Sequence, residues 1–349
     1  MKASGALWFA LWMALLSALS ALSALSALSA CSRREPPGAV ASHGREVSSS
    51  SAEHGGKPSA ASALSATIPP REDAGQLIPA EERTWTFENT PVGRMNVVVI
   101  LPERTPYSKW PVLITMHGRG EALKGPERGA RGWIDDYELL KVMRRIRNPP
   151  LTREDFKSFV KEPRRARLNA ALKDRPWRGF IVVCPYTPDM LTGDDPFGKA
   201  PPLAQFLVDE LLPRVYRETP AIGTAESTGI DGVSLGGRAA LSVGLLRPRS
   251  FGVIAALQAA FHTDKAQEIA ERARKAREQN PKLSFRLLTS DEDVFLGPDT
   301  AIAEALRAAN VPVYFDVVTG PHDYDFNRGP GAIEMLLFHD RVLRGESPP

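Results

Sequence analysis

From residue 84 to residue 343 the sequence alternates short apolar runs with longer helix-like segments, and this alternation limits the possible folds more than any other feature. Residues 84–88 and 95–101 (MNVVVIL) read as two strands, an antiparallel pair at a sheet edge. Six more runs follow at 111–116 (PVLITM), 180–184 (FIVVC), 228–231, 251–256 (FGVIAA), 283–288 (LSFRLL) and 311–318 (VPVYFDVV). They lack clean polar alternation, as expected of strands covered on both faces. Helical character fills 202–216, 238–246, 264–279, 300–309 and 331–343. Strand and helix in alternation predict an α/β fold with a mostly parallel central sheet and helices on both faces.

One connection is too long for a simple crossover. More than sixty residues separate PVLITM from FIVVC, where about a dozen would serve. Within 121–178, Leu139, Leu140, Met143 and Ile146 recur at helical spacing, Pro149-Pro150 stops that helix, and Thr152 with Asp155 suggests a capping box for a second. A third helix is expected over 165–172. The segment is expected to be a helical insertion after the third strand, either a lid over a site or a surface extension. Its arginines (Arg144, Arg145, Arg147, Arg164, Arg165 and Arg167) read first as a solvated helix face, and secondly as a bias towards anionic substrates.

Residues 1–80 do not share the pattern. Lys2 precedes an apolar run over 5–30, built largely from Leu-Ser-Ala triplets and ending in Leu28-Ser29-Ala30-Cys31. Small residues ahead of a cysteine suit signal peptidase, and the stretch resembles the lipobox of bacterial lipoprotein precursors, in which the cut falls before the cysteine and that cysteine carries lipid. The run is long enough to cross a bilayer, but Ser17, Ser20, Ser23, Ser26 and Ser29 spread polarity around a helix, which suits a cleaved signal better than an anchor. A plain secretory signal cut after Ala30 is the other option, and it leaves Cys31 without a role. The expected organisation is therefore a signal peptide over 1–30, a Ser/Ala/Gly/Pro-rich tether over 31–80 holding His43 and His54, and one domain over 81–349. Ser32 after the cysteine leans towards the outer membrane in the Gram-negative sorting pattern; a secreted or periplasmic location is the alternative.

Charge and cysteine content exclude several functions. Forty-four basic against 41 acidic residues give a net +3, too even for a nucleic-acid surface. Cys184, the only cysteine besides Cys31, reads as a small core residue. Neither C-x-x-C nor H-E-x-x-H spacing occurs, so no metal or cofactor is expected.

Gly232-Val233-Ser234-Leu235-Gly236-Gly237 reads as a nucleophile elbow. A serine in a tight strand-to-helix turn needs small residues two positions either side, here Gly232 and Gly236, because a Cβ would strike crowded backbone. A nucleophilic Ser234 needs a base and an orienting acid, in the chain order serine, acid, histidine. Of the histidines after Ser234, His262 comes too early and His339 sits in the last apolar helix, where a surface or cap role is expected. His322, in Gly320-Pro321-His322-Asp323-Tyr324 directly after the last strand, is the candidate base. The acid is sought in Ser290-Asp291-Glu292-Asp293-Val294-Phe295, with Asp293 favoured over Asp291 and with Val294-Phe295 expected to tuck the turn into the core. The oxyanion donors are expected to be the N–H groups of Leu235 and of Arg119, in the loop His117-Gly118-Arg119-Gly120; His117 reads as a loop-fixing residue.

Leu101-Pro102, Trp110-Pro111-Val112-Leu113 leading to His117-Gly118, the G-V-S-L-G-G elbow, S-D-E-D-V-F and G-P-H-D-Y together resemble the esterase D-like branch of the α/β-hydrolases, which includes feruloyl and acetylxylan esterases and mycolyltransferases. The resemblance covers most of 95–340 apart from 121–178, and departs at Arg119, where these enzymes often carry a small or apolar residue. It implies an α/β-hydrolase fold, strengthens the choice of Asp293, and implies a carboxylester hydrolase (EC 3.1.1) acting on a small-molecule or polysaccharide-linked ester. A serine peptidase of the prolyl-oligopeptidase type, or a non-catalytic surface lipoprotein on the same scaffold, remain the alternatives.

Overall fold

The computed structural model describes residues 81–102, 108–190, 195 and 197–349; the expected signal peptide, Cys31 and the whole tether lie outside the described residues. Eight strands form one sheet: β1 (Glu81–Thr90), β2 (Gly93–Leu101), β3 (Val112–Met116), β4 (Ile181–Pro185), β5 (Thr228–Gly232), β6 (Val253–Leu257), β7 (Ser284–Glu292) and β8 (Val313–Pro321). Their order is β1-β2-β4-β3-β5-β6-β7-β8. β1 pairs antiparallel with β2, and β2 antiparallel with β4, while β4 to β8 are all parallel. The carboxyl ends of the parallel strands therefore share one edge, where loops can gather functional groups.

Each face of the sheet has its own core. Val97, Val99, Ile114, Met116, Ile230 and Phe285 point into one, closed by helices that include Leu235–Leu246, Ala266–Gln279 and Leu296–Ala308. Val98, Ile100, Leu113, Val182, Val253 and Leu288 point into the other, beneath the final helix Ala332–Val342. The second core explains the long connection. Leu139, Val142, Met143 and Ile146 of the helix Leu139–Arg147, and Leu168 and Leu172 of the helix Glu162–Asp174, are buried in it. Four such side chains at ~1.5–3 kcal/mol each make lifting the first helix cost roughly 6–12 kcal/mol, as much as a whole domain's net stability. The helices of the segment thus add a layer to this core, the first of them packed against the final helix Ala332–Val342.

Its arginines hold that layer in place. Arg145 Nε donates to Asp155 at 2.8 Å, Arg165 Nη2 to Glu162 at 2.8 Å, and Arg164 bridges Glu334 and Asp316. The capping box forms, with Thr152 N–H donating to Asp155 Oδ2 at 2.6 Å and Asp155 N–H to Thr152 Oγ1 at 3.4 Å, but it opens only the short 3-10 turn Glu154–Phe156.

His339 departs from its expected surface role. It is fully buried and its Nε2 lies 2.9 Å from Asp231 Oδ2, beside the equally buried Arg286. A polar residue in an apolar helix was read as outward-facing; a buried carboxylate on β5 turns it inward. Burial lowers the His339 pKa.

Candidate active site

Ser234 leaves β5 at φ 58° and ψ −116° and caps the helix Leu235–Leu246. A non-glycine residue at that φ is strained, and here the crowding behind it is explicit. A Cβ on Gly236 would lie 2.2 Å from the Met116 carbonyl oxygen and 2.6 Å from that of His117. A Cβ on Gly232 would lie 2.5 Å from the Gly236 carbonyl group. Only glycine at both positions lets the turn close, which lifts a half-buried Ser234 to the carboxyl edge of the sheet.

The loop after β3 runs alongside. A Cβ on Gly118 would be 3.9 Å from Ser234 Cβ, so the two backbones are neighbours. His117 is fully buried and its Nε2 accepts the Thr187 N–H at 2.9 Å, which leaves Nδ1–H to donate to the Gly118 carbonyl at 2.9 Å. Burial pushes its pKa down to about 4, so it is a neutral loop-fixing residue. The Gly118 N–H donates to Tyr137 Oη at 3.1 Å. Arg119 opens the helical turn Arg119–Ala122, and Leu235 opens the helix behind Ser234. First-turn amides have no carbonyl of their own helix to bond, so these two N–H groups are suited to receive an oxyanion.

Behind the loop is a carboxylate that motif reading missed. Glu121 is 1% exposed and accepts from Tyr137 Oη, from Tyr324 Oη at 2.7 Å, and lies 3.5 Å from Lys124 Nζ. Burial and the adjacent Glu121 charge raise the pKa of both phenols, so both remain donors. Tyr324 comes from the His322 loop and its Oη would be 2.8 Å from a Cβ on Gly120. Glu121 therefore clamps the β3 loop to the β8 loop.

His322 and Asp293 meet. His322 Nδ1 lies 2.9 Å from Asp293 Oδ1, and the ring packs edge-on against Phe295 with centroids 5.4 Å apart. Asp293 also accepts from Thr289 Oγ1 at 2.8 Å and from the Phe295 N–H at 3.0 Å, so its carboxylate is fixed before the histidine arrives. Asp291 does something else: Oδ1 accepts the Gly320 N–H at 3.0 Å and anchors the start of the histidine loop. The expected tuck into the core does not occur: β7 runs on to Glu292, Val294 is 75% exposed, and Phe295, half-buried, lies against the His322 ring. Next to Asp293, the buried Asp299 has its pKa raised well above the carboxylate range by burial and by the Asp293 charge.

The tie between the serine and histidine loops is Gln258, another residue without a sequence signal. The Ser234 N–H donates to the Leu257 carbonyl at 2.9 Å, and Gln258, next in line at φ 48°, reaches Pro321 O at 3.0 Å and Ser290 Oγ at 2.7 Å through Nε2. Elbow, acid strand and histidine loop are thus bonded through one buried amide. Among the described residues, no group of three or more His, Cys, Asp or Glu side chains could hold a metal ion.

No family model matches this sequence, and no curated protein matches it. Solved structures do resemble the fold. A ferulic acid esterase is 18% identical, covering 76% of this chain and 98% of that one, with a TM-score of 0.56. An S-formylglutathione hydrolase from Staphylococcus aureus is 13% identical over 75% of this chain and 99% of that one, at 0.54. A mutant feruloyl esterase module from Clostridium thermocellum, complexed with sinapinate, is 17% identical over 74% and 87%, at 0.52. The fold is that of the α/β-hydrolases.

Proposed function

We propose that this protein is a serine hydrolase of carboxylic esters. The reading rests above all on the 2.9 Å His322–Asp293 pair at the sheet edge that also carries the strained Ser234. Esterases among the structural neighbours support the same reaction class. Asp293 accepts a hydrogen bond from His322 Nδ1–H, which keeps the proton on Nδ1 and leaves Nε2 free as the base. His322 takes the Ser234 hydroxyl proton as the oxygen attacks the ester carbonyl, and the Leu235 and Arg119 amides receive the oxyanion. His322 then gives the proton to the departing alcohol, leaving an acyl-Ser234 ester. Water, deprotonated by His322, releases the acid and restores the serine.

A fluorophosphonate probe tests the assignment. The wild type is expected to be labelled and to cleave 4-nitrophenyl acetate faster than peptide anilides, while Ser234→Ala shows neither labelling nor turnover. Labelling that persists in Ser234→Ala would sink the nucleophile; faster cleavage of anilides would turn the reading to a peptidase.

We further infer that residues 1–30 are a lipoprotein signal and that lipidated Cys31 holds the domain to a bacterial envelope membrane on the 31–80 tether. Metabolic labelling with palmitate in a Gram-negative host is expected to mark the wild type and spare Cys31→Ala; equal labelling of both excludes the anchor.

A further inference from the structure

Arg238 follows Ser234 by four residues, one turn along the same helix, and its N–H donates to the Ser234 carbonyl at 3.0 Å. The residue is only 4% exposed, yet its Nε has no hydrogen-bond partner. Its guanidinium carbon lies 5.9 Å from the Phe261 ring centroid, a weak contact beside the turn that follows β6. Asp189 and Asp195 attract it through space, and one oxygen of each is bonded to another group. Asp189 Oδ2 accepts from Arg119 Nε at 3.0 Å, and Asp195 Oδ1 accepts the Phe197 N–H at 2.8 Å. Arg145, Arg164 and Arg165, by contrast, have carboxylates or carbonyls on them.

A guanidinium carries five donors, and burying one without acceptors is costly unless something completes it. A planar carboxylate matches the guanidinium fork and brings acceptor oxygens to a group whose Nε has none.

We propose that Arg238 is a specificity-determining residue that receives a carboxylate on the substrate, so that the preferred esters are monoanions bearing a carboxylate near the scissile bond. This deepens the ester-hydrolase reading and rests on it. Arg119, the exposed neighbour on the β3 loop, pairs with Asp189 at 3.0 Å.

The test compares 4-nitrophenyl hemisuccinate with 4-nitrophenyl acetate. Wild type is expected to favour the hemisuccinate in kcat/KM, and the ratio is expected to fall about tenfold or more in Arg238→Met, the loss of a charge-assisted hydrogen bond. Arg238→Lys, which keeps charge without the fork, should give an intermediate ratio and also guards against misfolding of the Met variant. Calorimetry of monomethyl succinate binding to Ser234→Ala, with and without Arg238→Met, reads the subsite without chemistry. Equal ratios and equal binding in the Arg and Met forms overturn the subsite while leaving the esterase standing. Arg238-dependent binding with no turnover of either ester overturns the esterase and leaves the subsite.

Discussion

Two aspartates two residues apart reach the same loop, and their bonds assign them different work. Asp293 holds the His322 ring, whereas Asp291 holds the backbone at Gly320. Asp293→Asn places an amide N–H where a carboxylate should accept, disfavours the required tautomer, and is expected to lower kcat by about 10⁴. Asp291→Asn keeps an oxygen for the Gly320 N–H and is expected to stay within about threefold of wild type. Steady-state kinetics of the two variants, with folding checked by circular dichroism, decide it; the reverse ranking would move the acid to Asp291. At this scale the residues with local signatures could be read ahead of the structure. Ser234 announces itself by the glycines its turn demands, and His322 by its place after the last strand. Gln258, Glu121 and Arg238 had no such signature, because each matters through partners far off in sequence that only the folded sheet brings near.

Single contacts add up to elements at the clamp between the β3 loop and the β8 loop. Tyr137 accepts the Gly118 N–H and donates to Glu121, which also binds Tyr324. Tyr137→Phe leaves the Gly118 amide unpaired in a buried position, at a cost of about 1–3 kcal/mol. The expected result is a fall in kcat of roughly tenfold with KM changed less than about twofold, because the clamp aligns oxyanion donors that matter most in the transition state. A rise in KM at constant kcat would instead place Tyr137 in ground-state binding. The strands themselves were legible, each as an apolar run within a few residues of its true ends. What misled was local grammar without context. The Thr152–Asp155 box formed yet started only a 3-10 turn, since the chain at Lys157 and Ser158 turns into positive φ. The exposed Val294 shows the same limit, as an apolar pair does not reveal whether it faces the core.

Among the described residues two histidines are buried, His117 in the loop after β3 and His339 against β5. For both, burial lowers the pKa, to about 4 for His117. Such a group favours unfolding as pH falls, because the unfolded chain takes up a proton near pH 6.5 that the folded chain refuses. Above pH 6.5 the effect vanishes; between 6.5 and 4 stability declines, by about 3 kcal/mol for His117, and below 4 the loss is complete. His117→Gln can still accept the Thr187 N–H, so it is expected to flatten the dependence of unfolding free energy on pH between 6.5 and 4.5. Parallel slopes for the two proteins in denaturant titrations would show that His117 does not carry the effect. Legibility at this scale was uneven. The alternation of strand and helix dictated the sheet, but not that helices of 121–178 would join the core on one face. Periodicity shows that a helix has an apolar side and is silent about what meets it.

The closeness of Gly236 to the carbonyls of Met116 and His117 has a mechanical consequence. Ser234's turn and the loop after β3 meet here through bare backbone, with no side chain between them to act as a spring. Neither can shift without carrying the other, so on the proposed mechanism the spacing of nucleophile and amide donors is set once, at folding. Whatever breadth this protein has in its choice of ester must come from the borders of the site and not from this junction.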